Sequence, residues 1–192
     1  MPRIRNSIGP IIGYHGCDRS VAEKVFRNKT YLRESNNAYD WLGPGIYFWV
    51  DSPERGFEWA SNNPKIKNPA VVGAFIHPGL CLNLTDYGVM DEIRAAHGLL
   101  RTLSVSAGTD LPKNIMKDNG VFLQRHLDCA VIKTVHELRQ QSGDPSYDTV
   151  YGVFEEGEEL FAGSGFREKT HVQLAVRNPD CIIGYFRVPG FP

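Results

Sequence analysis

Apolar residues run continuously or at two-residue spacing through 10–16, 46–50, 70–78, 148–154, 171–177 and 182–188, and these six stretches read as strands. Between them the apolar spacing changes to three and four. Residues 20–29, "SVAEKVFRNK", carry Val21, Val25 and Phe26 on one face, with Ser20 and Glu23 spaced as a capping box. Pro53 opens a second helix, "PERGFEWASNN". A third covers "GVMDEIRAAHGLLRTL", with Met90, Ile93, His97 and Leu100 on one side. Residues 104–119 read as a loop. A long helix then covers 121–140, with Leu127, Val131 and Leu138 aligned. Strands and helices alternate irregularly, and the last three strands follow one another, so the fold class is α+β. No internal repeat and no domain-scale linker interrupts the chain, which predicts one domain over 1–192.

The run at 46–50 is the most informative. Gly43-Pro44-Gly45 is a turn sequence, and Ile46-Tyr47-Phe48-Trp49-Val50 is aromatic, β-branched and uncharged. Alternation puts Ile46, Phe48 and Val50 on one face, and Tyr47 and Trp49 on the other. If the aliphatic face is core, the aromatic face belongs to a second core layer or to the floor of a site for a flat ligand.

Composition narrows the class. Hydrophobic residues are 42% and charged residues 22%, as in a globular domain. The net charge of −1 gives no sign of a nucleic-acid-coating protein, though a local basic groove is compatible with it. No apolar run approaches the ~20 residues of a membrane span, and the basic N-terminus lacks a signal-peptide core. A cytoplasmic setting with no membrane partner is the expectation. Cys17, Cys81, Cys129 and Cys181 are far apart and form no CxxC, so neither a disulfide scaffold nor a zinc ribbon is expected. His126, Cys129 and His136 share a helix; buried thiols there are ordinary, and no metal site is expected.

Three positions raise the question of chemistry. His15 ends a strand before Gly16, where a ligand can approach the backbone; a bond to a neighbouring loop is the plainer reading. Gln173 alternates with Val172 and Leu174, so its amide must find partners or face solvent at an edge. Glu155, Glu156, Glu158, Glu159 and Glu168 crowd the segment before that strand, where a solvated acidic turn is the plainer reading.

Taken together, "YHGC", "LGPGIYFWVDSPERGFEWA" and "HVQLAVRNPDCIIGYF" resemble the ADP-ribosyltransferase family, in the branch with a His-Tyr-Glu site that includes the poly(ADP-ribose) polymerases and diphtheria-like toxins. "AVVGAFIHPG" fits that family's next central strand, and residues 80–145 have no anchor. The resemblance implies two small, mostly antiparallel sheets forming an NAD cleft with flanking helices. It implies that His15 bonds the nicotinamide ribose, that the Gly16 backbone holds the carboxamide, and that Tyr47 stacks on the nicotinamide ring. Gln173 stands where the family has Glu. Tyr14, Gly45, Trp49 and His171 neighbour these positions and join the expected NAD-binding set.

A Gln cannot offset a developing cation or act as a base. In that family loss of this Glu goes with single-unit transfer, an unusual substrate or inactivity, so the resemblance implies no chain-building activity, and a loop carboxylate or Asp40 is left to supply the charge. The implied activity is NAD-dependent mono-ADP-ribosyl transfer to a macromolecular acceptor, protein or nucleic acid, in a bacterial toxin or phage-defence effector. An antitoxin or inhibitor protein is the partner such a toxin implies. A non-catalytic NAD or ADP-ribose binding module, a structural or partner-binding domain with a borrowed fold, and an RNA 2′-phosphotransferase-like enzyme of the same fold are the alternatives.

Overall fold

The computed structural model describes residues 8–116 and 122–192. The strands are β1 (Ile11–Asp18), β2 (Ile46–Val50), β3 (Pro69–Ile76), β4 (Cys81–Asn83), β5 (Ile115–Met116), β6 (Phe122–Gln124), β7 (Thr149–Phe154), β8 (His171–Val176) and β9 (Ile182–Arg187). The α-helices are α1 (Arg19–Phe26), α2 (Pro53–Asn62), α3 (Met90–Ala107) and α4 (His126–Gln141). The α+β class stands.

Where two small sheets were expected, seven strands form one, in the order β4-β7-β8-β2-β1-β3-β9, with only β4–β7 parallel. β5 and β6 pair apart from it. The large sheet is pinched at its middle. β1 and β3 are in register over eight residue pairs, Ile11↔Ile76 to Asp18↔Pro69, but β1 and β2 over two, Gly13↔Val50 and Tyr14↔Trp49. Beyond Tyr14 the β1–β2 ladder stops and the two halves diverge.

The strand alternation then sorts the layers. Ile46, Phe48, Leu174 and Val176 join Ile11, Val72 and Ile76 in a core covered by Ala22 and Val25 of α1. The other face carries Ala175 and Val150, which pack under Val131, Ile132 and Val135 of α4 and Ala96 of α3. Tyr147, His136 and Arg177 tie this helix layer to the sheet. Arg177 Nη1 lies 2.8 Å from both His136 Nδ1 and the Tyr147 carbonyl. Burial and the Arg177 charge press the His136 pKa down to about 3, which keeps the ring neutral.

α2 lies on the same face as α4 but over β1 and β3. Its approach is set by two glycines. A Cβ on Gly16 would sit 2.1 Å from the Gly56 carbonyl oxygen, whereas a Cβ on Gly56 would meet nothing closer than 3.6 Å. The close approach of α2 thus requires glycine at position 16, whose backbone also lines the cleft described below. Gly16→Ala should displace α2 at a cost of about 1–3 kcal/mol, a Tm loss of about 3–10 °C. Gly56→Ala should be neutral or stabilising, because the helix gains up to about 1 kcal/mol in propensity. Thermal melts of the two variants check this; equal losses would mean that α2 does not pack as described.

Four boundaries differ from the sequence reading. β1 runs on through His15 and Gly16 to Asp18, so His15 lies inside the strand and does not end it. α1 is capped by Asp18, whose carboxylate accepts from the Ser20, Lys67 and Asn68 amides, and not by a Ser20–Glu23 box. Those bonds hold its pKa at about 2. Glu23 instead binds Arg187 of β9 at 2.8 and 3.0 Å. α3 runs on to Gly108, which ends it in the left-handed region at φ 63°. α4 starts at His126, because the Asn114 side chain accepts from the Leu127 and Asp128 amides while Phe122–Gln124 pairs as strand. Residues 1–7, with the basic N-terminal stretch, and 117–121, part of the expected loop and helix start, lie outside the described residues.

Candidate functional site

Between α2 and the 33–41 segment the sheet face is left open, and a cleft of about 770 Å³ lies there, a size within the range of small-molecule sites. His15 and Gly16 of β1, Tyr47 and Trp49 of β2 and Gln173 of β8 line it. These strands are neighbours in the sheet, so residues far apart in sequence meet through register. Trp49 pairs directly with Gln173. The other expected residues are not on the cleft wall. Tyr14 packs edge-on against Phe186, Gly45 sits in the turn against Val176, and buried His171 stacks on Trp41.

His15 sits where the β1–β2 ladder fails. Its Nδ1 lies 2.8 Å from the Tyr47 carbonyl. A carbonyl only accepts, so Nδ1 carries the proton and Nε2 is an acceptor. Burial lowers the His15 pKa, so the neutral form persists.

Tyr47 is fixed through its hydroxyl, which donates to the Gly43 carbonyl at 2.7 Å and accepts from the Leu42 amide at 2.8 Å. The phenol ties the Gly-Pro-Gly turn to the strand that follows it. Burial raises its pKa well above the ordinary value, so it remains a neutral phenol. Its ring edges the helix-layer core and lines the cleft. The aromatic face at this residue therefore belongs in part to a second core layer.

Gln173 is 9% exposed, and its side-chain amide has no hydrogen-bond partner among the described residues. The Trp49 indole Nε1 beside it is also buried without a partner. Buried polar groups almost always find partners, so the Trp49 indole beside an unbonded amide on the cleft wall is complementary to a ligand that supplies acceptors and donors.

One wall was missed by the sequence reading. Arg55, Glu58 and Asn62 lie along one face of α2 and line the cleft. Arg55 Nη2 donates to Glu156 at 2.7 Å, Arg55 also pairs with Glu58, and Glu58 with Lys169. The Lys169 and Arg55 charges lower the Glu58 pKa. The i, i+3, i+7 spacing was visible, but a charged helical face is usually solvated. At the opposite wall Asp40 is buried and accepts from the Ser35 hydroxyl at 2.9 Å and from the Asn37 amide at 2.7 Å.

The considered metal ligands are engaged elsewhere. His126 meets Gln124, Cys129 meets the Asn37 carbonyl and His136 meets Arg177. Among the described residues no three His, Cys, Asp or Glu side chains gather as a metal site. No helix there is long and apolar enough to cross a membrane.

No protein-family model matches the chain. A protein of Methanocaldococcus jannaschii, itself described as uncharacterized, is 24% identical to it over 188 residues, covering 88% of this chain and 83% of that protein.

Proposed function

We propose that the chain is an NAD-dependent mono-ADP-ribosyltransferase acting on a macromolecular acceptor, as the resemblance of its strand motifs to that family implies. The observation that carries this reading is the trio His15, Tyr47 and Gln173, brought from three adjacent strands onto one cleft wall with the Gln173 amide unpartnered. The nicotinamide ring stacks on Tyr47. His15 Nε2 accepts from a ribose hydroxyl. The Gln173 amide bonds the same sugar, and NAD gives the Trp49 indole its partner.

The C1′–N bond to nicotinamide then breaks, and its electron pair quenches the pyridinium charge. The ribose carries the positive charge as an oxocarbenium ion until a nucleophile on the acceptor bonds C1′ and loses its proton. A toxin or phage-defence role and an inhibitor partner are proposed on the family likeness alone, and a cytoplasmic setting on the sequence reading.

All three tryptophans, Trp41, Trp49 and Trp59, line the cleft, so intrinsic fluorescence reports on its contents. NAD should quench it. NAD at a hundred times its dissociation constant should also raise Tm by about 5–10 °C, the equivalent of ~2.7 kcal/mol. His15→Ala should weaken both effects. Unchanged fluorescence and Tm at millimolar NAD would overturn the reading. A second reading, a non-catalytic NAD or ADP-ribose binding module, is favoured by the uncharged Gln173. Under it NAD quenches the fluorescence but no nicotinamide is released.

A further inference from the structure

Breaking a glycosidic bond through an oxocarbenium ion calls for a fixed negative charge near the sugar, and Gln173 has none. Four carboxylates line the cleft: Glu34, Asp40, Glu58 and Glu156. Glu34 is exposed, and its charge is felt by Arg177, which follows the far end of β8. Asp40 spends both oxygens on Ser35 and Asn37. Glu58 has one oxygen on Arg55 and the other on Lys169.

Glu156 differs from these. Arg55 contacts only its Oε2, and Oε1 has no partner among the described residues. The same carboxylate lies 3.9 Å from His171 Nδ1. His171 is two residues before Gln173 on the same strand face, a distance of about 7 Å. The Lys169 amide donates to the Glu156 carbonyl at 2.9 Å, so the backbone that carries this carboxylate is pinned across the segment between β7 and β8.

Building on the reading above, we infer that Glu156 is a catalytic residue: its carboxylate supplies, from the segment after β7, the negative charge that the β8 strand lacks. As the C1′–N bond breaks and its electrons leave with nicotinamide, the charge on C1′ and the ring oxygen is offset by Glu156. The incoming nucleophile then bonds C1′, and its proton passes to solvent. Arg55 holds the carboxylate in place and divides its own charge between Glu156 and Glu58.

The test is steady-state nicotinamide release by the full chain, with NAD affinity read separately from tryptophan fluorescence. Glu156→Gln should lower kcat ~10²-fold and change KM less than ~3-fold, because the charge matters chiefly in the transition state. Glu155→Gln, one residue away and exposed, should match wild type. Gln173→Glu placed in the Glu156→Gln background should recover at least ~10-fold, by restoring a carboxylate on the adjacent strand. A Glu156→Gln variant within ~3-fold of wild type, a loss confined to KM, or a loss that Gln173→Glu leaves untouched would each overturn the inference. Wild-type protein that binds NAD and releases no nicotinamide would instead overturn the enzyme reading, and the inference with it.

Discussion

Tyr47→Phe should cost the fold more than it costs the site. The hydroxyl it removes does not face a ligand; it closes the turn by holding the Leu42 amide and the Gly43 carbonyl. Leu42 is fully buried, so its amide loses an acceptor with no water to replace it. That costs about 1–3 kcal/mol, or roughly 3–10 °C of Tm in a domain of this size. The ring face survives, so nicotinamide release at saturating NAD should stay within ~3-fold of wild type. Tyr47→Ala removes ring and hydroxyl together. Release should fall ~10²-fold or more, and truncating a large aromatic adds a stability loss of about 3–5 kcal/mol. Thermal melts and release assays on both variants separate the two roles. If Phe abolishes release while the protein melts like wild type, the hydroxyl serves the ligand and the turn is held some other way.

The local elements were legible because their signals are local. β2 reads directly from its aromatic and β-branched run, and α2 from the Pro at its start. The assembly of β8, β2 and β1 side by side is a non-local pairing that no periodicity encodes. Gly16 shows the limit from another direction. A glycine says that something comes close, but not what; here a helix backbone does, at a residue that also lines the cleft. The Tyr47 hydroxyl was missed although its partners lie four and five residues away, because a tyrosine in a strand has no fixed acceptor in the sequence. Glu156 was one of five acidic residues that composition could not tell apart. The Arg55 guanidinium, a hundred positions earlier, is what singles it out.

Gln173→Ala should show the opposite balance from Tyr47→Phe: a large loss of activity with little loss of stability. The amide makes no hydrogen bond in the folded chain and lines the open cleft, so removing it breaks no bond. The loss is confined to packing at the cleft wall, and Tm should stay within a few degrees of wild type. If the amide bonds the ribose more strongly as the glycosidic bond breaks, release should fall ~10²-fold, with kcat and kcat/KM falling together. Gln173→Glu in the otherwise native chain is the partner experiment. A carboxylate at this position favours the oxocarbenium ion, so NAD hydrolysis without acceptor should rise. Transfer to an acceptor fitted to a neutral amide should fall. A side chain that only fills the core would behave otherwise: Ala would lower Tm and leave release alone, and Glu, burying a charge, would destabilise the protein without raising hydrolysis. Release kinetics and melts for the three proteins decide between these patterns, and Ala and Glu variants that both match wild type would remove Gln173 from the site.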